Sequence, residues 1–433
     1  MRKSETKIAK KRFLRAAAAL LAAVAAVCAL GGCTANVQDA AHEVFNAWSG
    51  AKDEAPPAAD GSVVVESVVS AMDEEDAVRL YGTPVEASGG LSGFAYDQLS
   101  EEIQAVYAQL YTGIAEKRAE FPLRAKDSEH IKSALNAVII DHPEFFWIDG
   151  NANMSGFKGI GIWQIRLDFN IDPSEIDSVQ AQIDAAAQEY LNSLPEGASD
   201  YQKVKAAYEY IIRTTDYNLN SIQNQNIQSV FLYHISVCAG YSRALQYLLA
   251  KAGVWCAYIE GTTGPDSEGH AWNLVNIDGV YTFVDPSWGD PTYGEDATDA
   301  SRLDIIYDYL CLTSDELLRA RHIPDGSYEV PVCTDRTYDY YILNGLYYEG
   351  FDPDAISSAL WHAVDEGERA VFMKFSDFES YVLASDALFP AADDPAESLL
   401  DAPIRQRMEW DSANSMRYYY SCSDELWIIK VYW

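Results

Sequence analysis

Asp278-Gly279 separates two runs of alternating strand-forming side chains, His270 to Ile277 and Val280 to Asp285. A two-residue Asp-Gly connection favours a type I′ turn, whose twist matches that of a paired hairpin. The register follows: Ile277 faces Val280, His270 lies opposite Ser287, and Asp285 lies opposite Trp272. His270 and Asp285 therefore share one face as diagonal neighbours, within reach of long side chains. A slip of one residue would send them to opposite faces. Ahead of the hairpin the sequence predicts a strand over Trp255 to Glu260. Before that it predicts a helix from near Cys238 to Gly253, a residue suited to the C′ position. A helix followed at once by three antiparallel strands is an α+β unit, with the helix packed on the sheet.

Cys238 sits where the extended stretch ending at Val237 gives way to Ala244, Leu245, Leu248 and Leu249 on one helical face. A thiol of pKa about 8.5 is mostly protonated at neutral pH; a helix N-terminus or a nearby imidazolium raises its thiolate fraction. The backbone N–H of Cys238 would also be an unpaired donor of the first turn, open to an oxyanion. Asp285 can accept the N–H of His270, fix its tautomer and leave the other ring nitrogen for the thiol. Singly, each residue has a plain structural role: a buried Cys packs, a His fills a core, Asp-Pro ends a strand. Convergence of all three makes a nucleophile. A zinc site from Cys238, Cys256, His234 and His270 is the rival chemistry, but it lacks the tight spacing of metal sites.

Residues 62–198 read as an N-terminal α+β domain. Helices are expected over Tyr96 to Lys117, Ser128 to Ile140 and Pro173 to Leu194, with a strand over Ile160 to Phe169 and Phe145, Phe146 and Trp147 in the core. Within 199–331, Asp200 is expected to cap a helix through Arg213, and Asn218 to Gln228 to form a loop. Residues 338–433 read as a small α+β domain. Its expected elements are a helix over Asp354 to Glu366, a strand over Ala370 to Phe375, and a hairpin of Arg417 to Ser421 with Glu425 to Val431.

At the N-terminus, a basic stretch from Arg2 to Arg15 precedes an apolar run, Ala16 to Leu30. That run falls short of the roughly 20 residues that span a bilayer. It ends in Leu30-Gly31-Gly32-Cys33, which resembles a bacterial lipobox. Residues 1–32 are thus expected to be a lipoprotein signal peptide, Cys33 the lipidated residue and 33–61 a tether to the bacterial cell membrane, outside the cytoplasm. An ordinary secretory signal with a chance cysteine, or an uncleaved anchor, is the plainer alternative. The chain has 31 Lys and Arg against 66 Asp and Glu, a formal net charge of −35. A surface so acidic lacks the clustered cations that phosphate binding needs, which excludes nucleic acid as a partner. Cys256 reads as a small buried hydrophobe, and one or two disulfides among Cys256, Cys311, Cys333 and Cys422 stay open.

The runs Cys238-Ala239-Gly240-Tyr241-Ser242-Arg243-Ala244, Gly269-His270-Ala271-Trp272-Asn273 and Val284-Asp285-Pro286-Ser287-Trp288 resemble the transglutaminase-like superfamily, over about Asp200 to Asp290. Asp141-His142-Pro143-Glu144-Phe145-Phe146-Trp147 resembles the N-terminal extension of its bacterial surface members. The resemblance implies a papain-like α+β core flanked by α+β N-terminal and small α+β C-terminal regions. In the triad it implies, Cys238 is nucleophile, His270 general base and acid, and Asp285 the orienter. Gln225, Asn226 and Gln228 are candidates for a second oxyanion donor, and Trp272 and Trp288 for the groove wall. Nothing resembles the calcium apparatus of the large animal transglutaminases, so neither a metal nor another cofactor is expected. The implied chemistry is acyl transfer from a protein or peptide substrate through a Cys thioester. Water is the default acceptor, so hydrolysis of peptide or amide bonds ranks first and protein crosslinking second. A non-catalytic envelope scaffold that keeps the fold is the reading from another class.

Overall fold

Most helix starts among the described residues are capped by short polar side chains, and two of these capped starts differ from the sequence expectation. The expected helix over Tyr96 to Lys117 breaks at Leu99, because the Ser100 hydroxyl accepts the Ile103 N–H and restarts the helix at Glu101. Ser199, not Asp200, caps the helix that runs to Thr214: Ser199 and Gln202 form a reciprocal capping box. The computed structural model describes residues 63–66, 73–157, 159–264, 268–291, 303–390, 398–403 and 418–433. The expected signal peptide, Cys33 and the tether lie outside them.

The N-terminal region runs through strand β1 (Val63–Glu66), helices α1 (Glu74–Tyr81) and α2 (Glu101–Ala115), strand β2 (Glu120–Arg124), helix α3 (Ser128–Asp141), strands β3 (Ile148–Phe157) and β4 (Ile162–Phe169), and helix α4 (Ile176–Ser193). Its four strands lie in the order β1-β3-β4-β2, with only β1 parallel to its neighbour. Periodicity revealed β4 but not β2 or β3, whose Pro122, Gly150 and Gly156 dilute the strand pattern.

The central region holds α5 (Asp200–Thr214), β5 (Asp216–Tyr217), a π turn (Ser229–Tyr233), β6 (Ile235–Ser236), α6 (Cys238–Lys251), β7 (Cys256–Thr263), β8 (Glu268–Ile277), β9 (Val280–Val284), β10 (Leu310–Leu312), α7 (Ser314–Arg319) and β11 (Ile323–Pro324). Its antiparallel sheet has the order β10-β9-β8-β7-β11, and α6 packs on it. Asp278 and Gly279 both adopt positive φ (51° and 91°), as a type I′ turn requires. Ile277 pairs with Val280 and Asn273 with Val284, the register expected from the turn.

The C-terminal region comprises α8 (Tyr340–Leu343), β12 (Tyr347–Tyr348), α9 (Pro353–Asp365), β13 (Ala370–Phe375), α10 (Phe378–Leu388), β14 (Tyr419–Ser423) and β15 (Ile428–Tyr432), with the strands in the order β12-β13-β15-β14. The final hairpin sits about two residues later than expected at its first strand. One hydrophobic core runs from Val85 to Cys311, so α4, α5 and α6 share it with the N-terminal sheet. Another joins Trp272, Leu274 and Phe283 of the central sheet to Leu426 and Ile428 near the C-terminus. Phe145, Phe146 and Trp147 are core residues, and Cys256, Cys311, Cys333 and Cys422 are all free thiols.

Candidate active site

Val237 is extended (φ −122°, ψ 178°) and continues β6, which pairs with β5; the helix therefore begins at Cys238 itself. Two buried polar contacts pin α6 to the sheet. The Ser242 hydroxyl donates to Ala271 O (3.0 Å), and Asn273 Nδ2 donates to Ser242 O (2.9 Å). Farther along the helix, Gln246 Nε2 donates to Ile140 O (3.0 Å), which ties α6 to the end of α3. These bonds hold the half-buried Cys238 thiol in hydrogen-bonding reach of His270.

His270 lies on β8 and its Nε2 is 2.6 Å from Asp285 Oδ2, which leaves Nδ1 for the thiol. Asp285 follows directly after β9, its N–H donating to Tyr309 O (3.0 Å). Its other oxygen, Oδ1, accepts from Ser287 N (2.9 Å), Ser287 Oγ (2.7 Å) and Trp288 N (3.1 Å). Burial opposes the charged form of His270, but the Asp285 carboxylate outweighs it and holds the imidazole above its usual range. Burial likewise opposes the Asp285 charge, yet His270 and His322 keep its carboxyl well below the usual carboxylate range.

Two residues join the site that sequence reasoning missed. The Tyr217 phenol lies in hydrogen-bonding reach of both the thiol and the backbone N–H of Cys238. Burial, then the Cys238 charge, push that phenol upward, so it keeps its O–H. A phenol and a first-turn N–H thus both lie beside the thiol. His322, after α7, places Nε2 2.9 Å from Asp285 Oδ2. Neither residue belongs to a recognisable spacing; only the β5–β6 and β7–β11 pairings deliver them.

The other candidates divide. Gln228 is buried and turns its amide toward Phe146 O (3.4 Å) and Asn170 Oδ1 (3.5 Å), bracing the N-terminal region rather than meeting the thiol. Gln225 Nε2 donates to Asn224 and Asn226 Nδ2 to Gln223. Trp272 is fully buried and stacks on His270 at 5.8 Å (27°), so it backs the site. Trp288 is partly exposed and lies 5.8 Å from His270, where it can wall a groove. The four residues of the zinc alternative do not gather: Cys256 Sγ faces Asn273 Nδ2 (3.4 Å), and His234 is an exposed residue in a left-handed turn.

Residues 188–286 match the family model described as the transglutaminase-like superfamily. The mouse (Mus musculus) Kyphoscoliosis peptidase is 26% identical over 179 residues, which are 37% of this chain and 26% of that protein. The human (Homo sapiens) Kyphoscoliosis peptidase is 27% identical over 149 residues, 31% of this chain and 22% of that protein. The chain thus spans about a quarter of the length of these relatives. A solved structure described as a TGase aligns with 14% identity over 56% of this chain and 63% of its own, at a TM-score of 0.25. The matched segment holds α5, the Cys238 helix and the His270–Asp285 hairpin, so the part of the chain that is similar to the transglutaminase-like superfamily is the part that carries the site.

Proposed function

We propose that this protein is a thiol enzyme that hydrolyses peptide or amide bonds through a thioester on Cys238. One observation carries the reading: a cysteine at a helix N-terminus faces an imidazole whose far nitrogen is held 2.6 Å from a buried carboxylate. In the reaction, Cys238 Sγ attacks the substrate carbonyl carbon as His270 Nδ1 takes the thiol proton. The Cys238 N–H and Tyr217 O–H receive the oxyanion. His270 then hands its proton to the departing amine, leaving the thioester. In the second half, His270 takes a proton from water as the oxygen attacks, and returns it to sulfur. The word peptidase in the relatives' name supports water as the acceptor.

The test uses iodoacetamide and an activated ester as probes. Cys238 should alkylate rapidly near neutral pH, and His270→Ala should slow it by about 10²-fold or more. Equal rates in the two proteins would sink the catalytic reading and leave a scaffold. Acyl-enzyme formed from p-nitrophenyl acetate should turn over in water alone; preferential capture by a modest concentration of primary amine would identify a crosslinker instead. The basic stretch, apolar run and Leu30-Gly31-Gly32-Cys33 support a lipid-anchored location outside the cytoplasm. Cys33→Ala should release the protein from membranes, and unchanged fractionation would refute the anchor.

A further inference from the structure

His322 lies outside the segment matched to the superfamily, is fully buried, and is reached only after α7. Its backbone N–H donates to Leu317 O (3.0 Å), and pairing of Ile323 with Thr262 and Pro324 with Gly261 seats it against Asp285. Its two ring nitrogens both meet acceptors. Nδ1 is 3.0 Å from Ala320 O and Nε2 is 2.9 Å from Asp285 Oδ2. A backbone carbonyl only accepts, so Nδ1 must carry a proton. An ionised carboxylate only accepts, so Nε2 must carry one as well. Asp285 is ionised in this arrangement: Oδ1 accepts from three fixed donors, and two imidazoles at Oδ2 hold the carboxyl well below the usual carboxylate range against its burial.

His270, Asp285 and His322 could also be read as three ligands of one metal ion. The spacing opposes that. Ligand atoms about 2.0–2.1 Å from a tetrahedral zinc stand more than about 3 Å apart. Here both nitrogens lie within hydrogen-bond distance of one oxygen, at 2.6 and 2.9 Å. Protons fit those gaps. The rings around His322 suit a cation too: the centroids of Trp288 and Trp272 are 4.5 and 5.2 Å from its own, with Tyr309 on a further side at 6.2 Å.

We propose that His322 is a buried imidazolium and a fourth member of the site, a positioning residue that shares the Asp285 carboxylate with His270. Its role in turnover rests on the acyl-transfer reading; its protonation state does not. The shared pairing keeps Asp285 a carboxylate oriented toward His270 throughout the reaction. A fixed positive charge 5.2 Å from the His270 ring also makes the proton on His270 easier to release. That matters because His270 must pass a proton to the leaving amine and stand unprotonated when water arrives. The other titratable groups facing the cluster are Cys238, Tyr208, Tyr217 and Tyr309; burial first, and neighbouring negative charges second, raise all three phenols, so they stay neutral.

Selective ¹⁵N labelling of histidine in the full-length protein tests this directly. At neutral pH, His322 should show protons on both ring nitrogens, as should His270 with its raised proton affinity, and the His322 signal alone should vanish in His322→Gln. In the same variant, which keeps a donor but no charge, His270 should lose its proton about one to two pH units higher. His322→Asn serves as the second variant should the first not fold. A single N–H on the His322 ring overturns the proposal. So does an unmoved His270 titration in the folded variant, or a tightly held metal whose removal by EDTA is what first places a proton on Nε2. Should the double N–H signal stand while Cys238 proves unreactive toward iodoacetamide, the acyl-transfer reading fails and the imidazolium remains.

Discussion

Asp285 turns two oxygens toward donors from Ser287, Trp288, His270 and His322, at a position that is 1% exposed. This makes the residue matter to stability as well as to chemistry. His270 gains proton affinity on folding, so its contribution is complete below about pH 6.5 and is lost as pH rises through its raised folded value. Asp285 loses proton affinity, so its contribution is present above about pH 4 and is lost as pH falls toward its depressed folded value. Asp285→Asn keeps the size and an acceptor but removes the charge. The wild type should therefore lose stability between neutral and alkaline pH relative to the variant, read from urea midpoints across that range. Parallel profiles would show that the pair does not couple to folding. The three triad residues could be singled out from their spacing. His322 and Tyr217 could not, because a histidine in Arg-His-Ile-Pro and a tyrosine after Thr-Asp carry no pattern.

At the scale of elements, β7 is held between β8 and β11, and Gly261 is where all three crowd. It pairs with His270 on one side and Pro324 on the other. A Cβ built there would stand 2.2 Å from Ile323 O and 2.6 Å from Trp272 Cη2. The backbone of β11 cannot yield without carrying its neighbour His322 with it. Gly261→Ala should therefore cost about 1–3 kcal/mol and slow iodoacetamide labelling of Cys238. A melting temperature and labelling rate both equal to the wild type would show that β11 is free to move and does not hold the site. The sequence disclosed β8, β9 and their register, since a two-residue turn leaves one pairing. It did not disclose β11, whose two residues mean nothing except beside β7.

Over the whole molecule, the C-terminal sheet reaches the catalytic region through buried ions. Lys374 on β13 lies 2.8 Å from Glu316 Oε1 and 2.5 Å from Asp339 Oδ2, and Lys430 on β15 lies 2.5 Å from Asp308 Oδ2. Glu316 also closes the capping box of α7, whose Leu317 O receives the N–H of His322. Burial opposes the Glu316 charge, but Lys374 holds its carboxyl down to about 2, so its contribution is present above about pH 4.5 and lost as pH falls toward about 2. Lys374→Met would strand two buried carboxylates and should destabilise the protein by about 3–5 kcal/mol. A change in the urea unfolding energy below about 1 kcal/mol would mean that the network is no tie. What the sequence determined by itself was local: helix starts, the Asp-Gly hairpin, and a Cys, His and Asp whose order and spacing resemble a known triad. Those features depend on neighbours a few residues away, where turn geometry and side-chain period leave little choice. What only the tertiary structure decided was who stands behind and beside that triad. His322, Tyr217 and Lys374 come from segments distant in the chain, and burial together with the pairing of short strands, rather than any local preference, brings them to it.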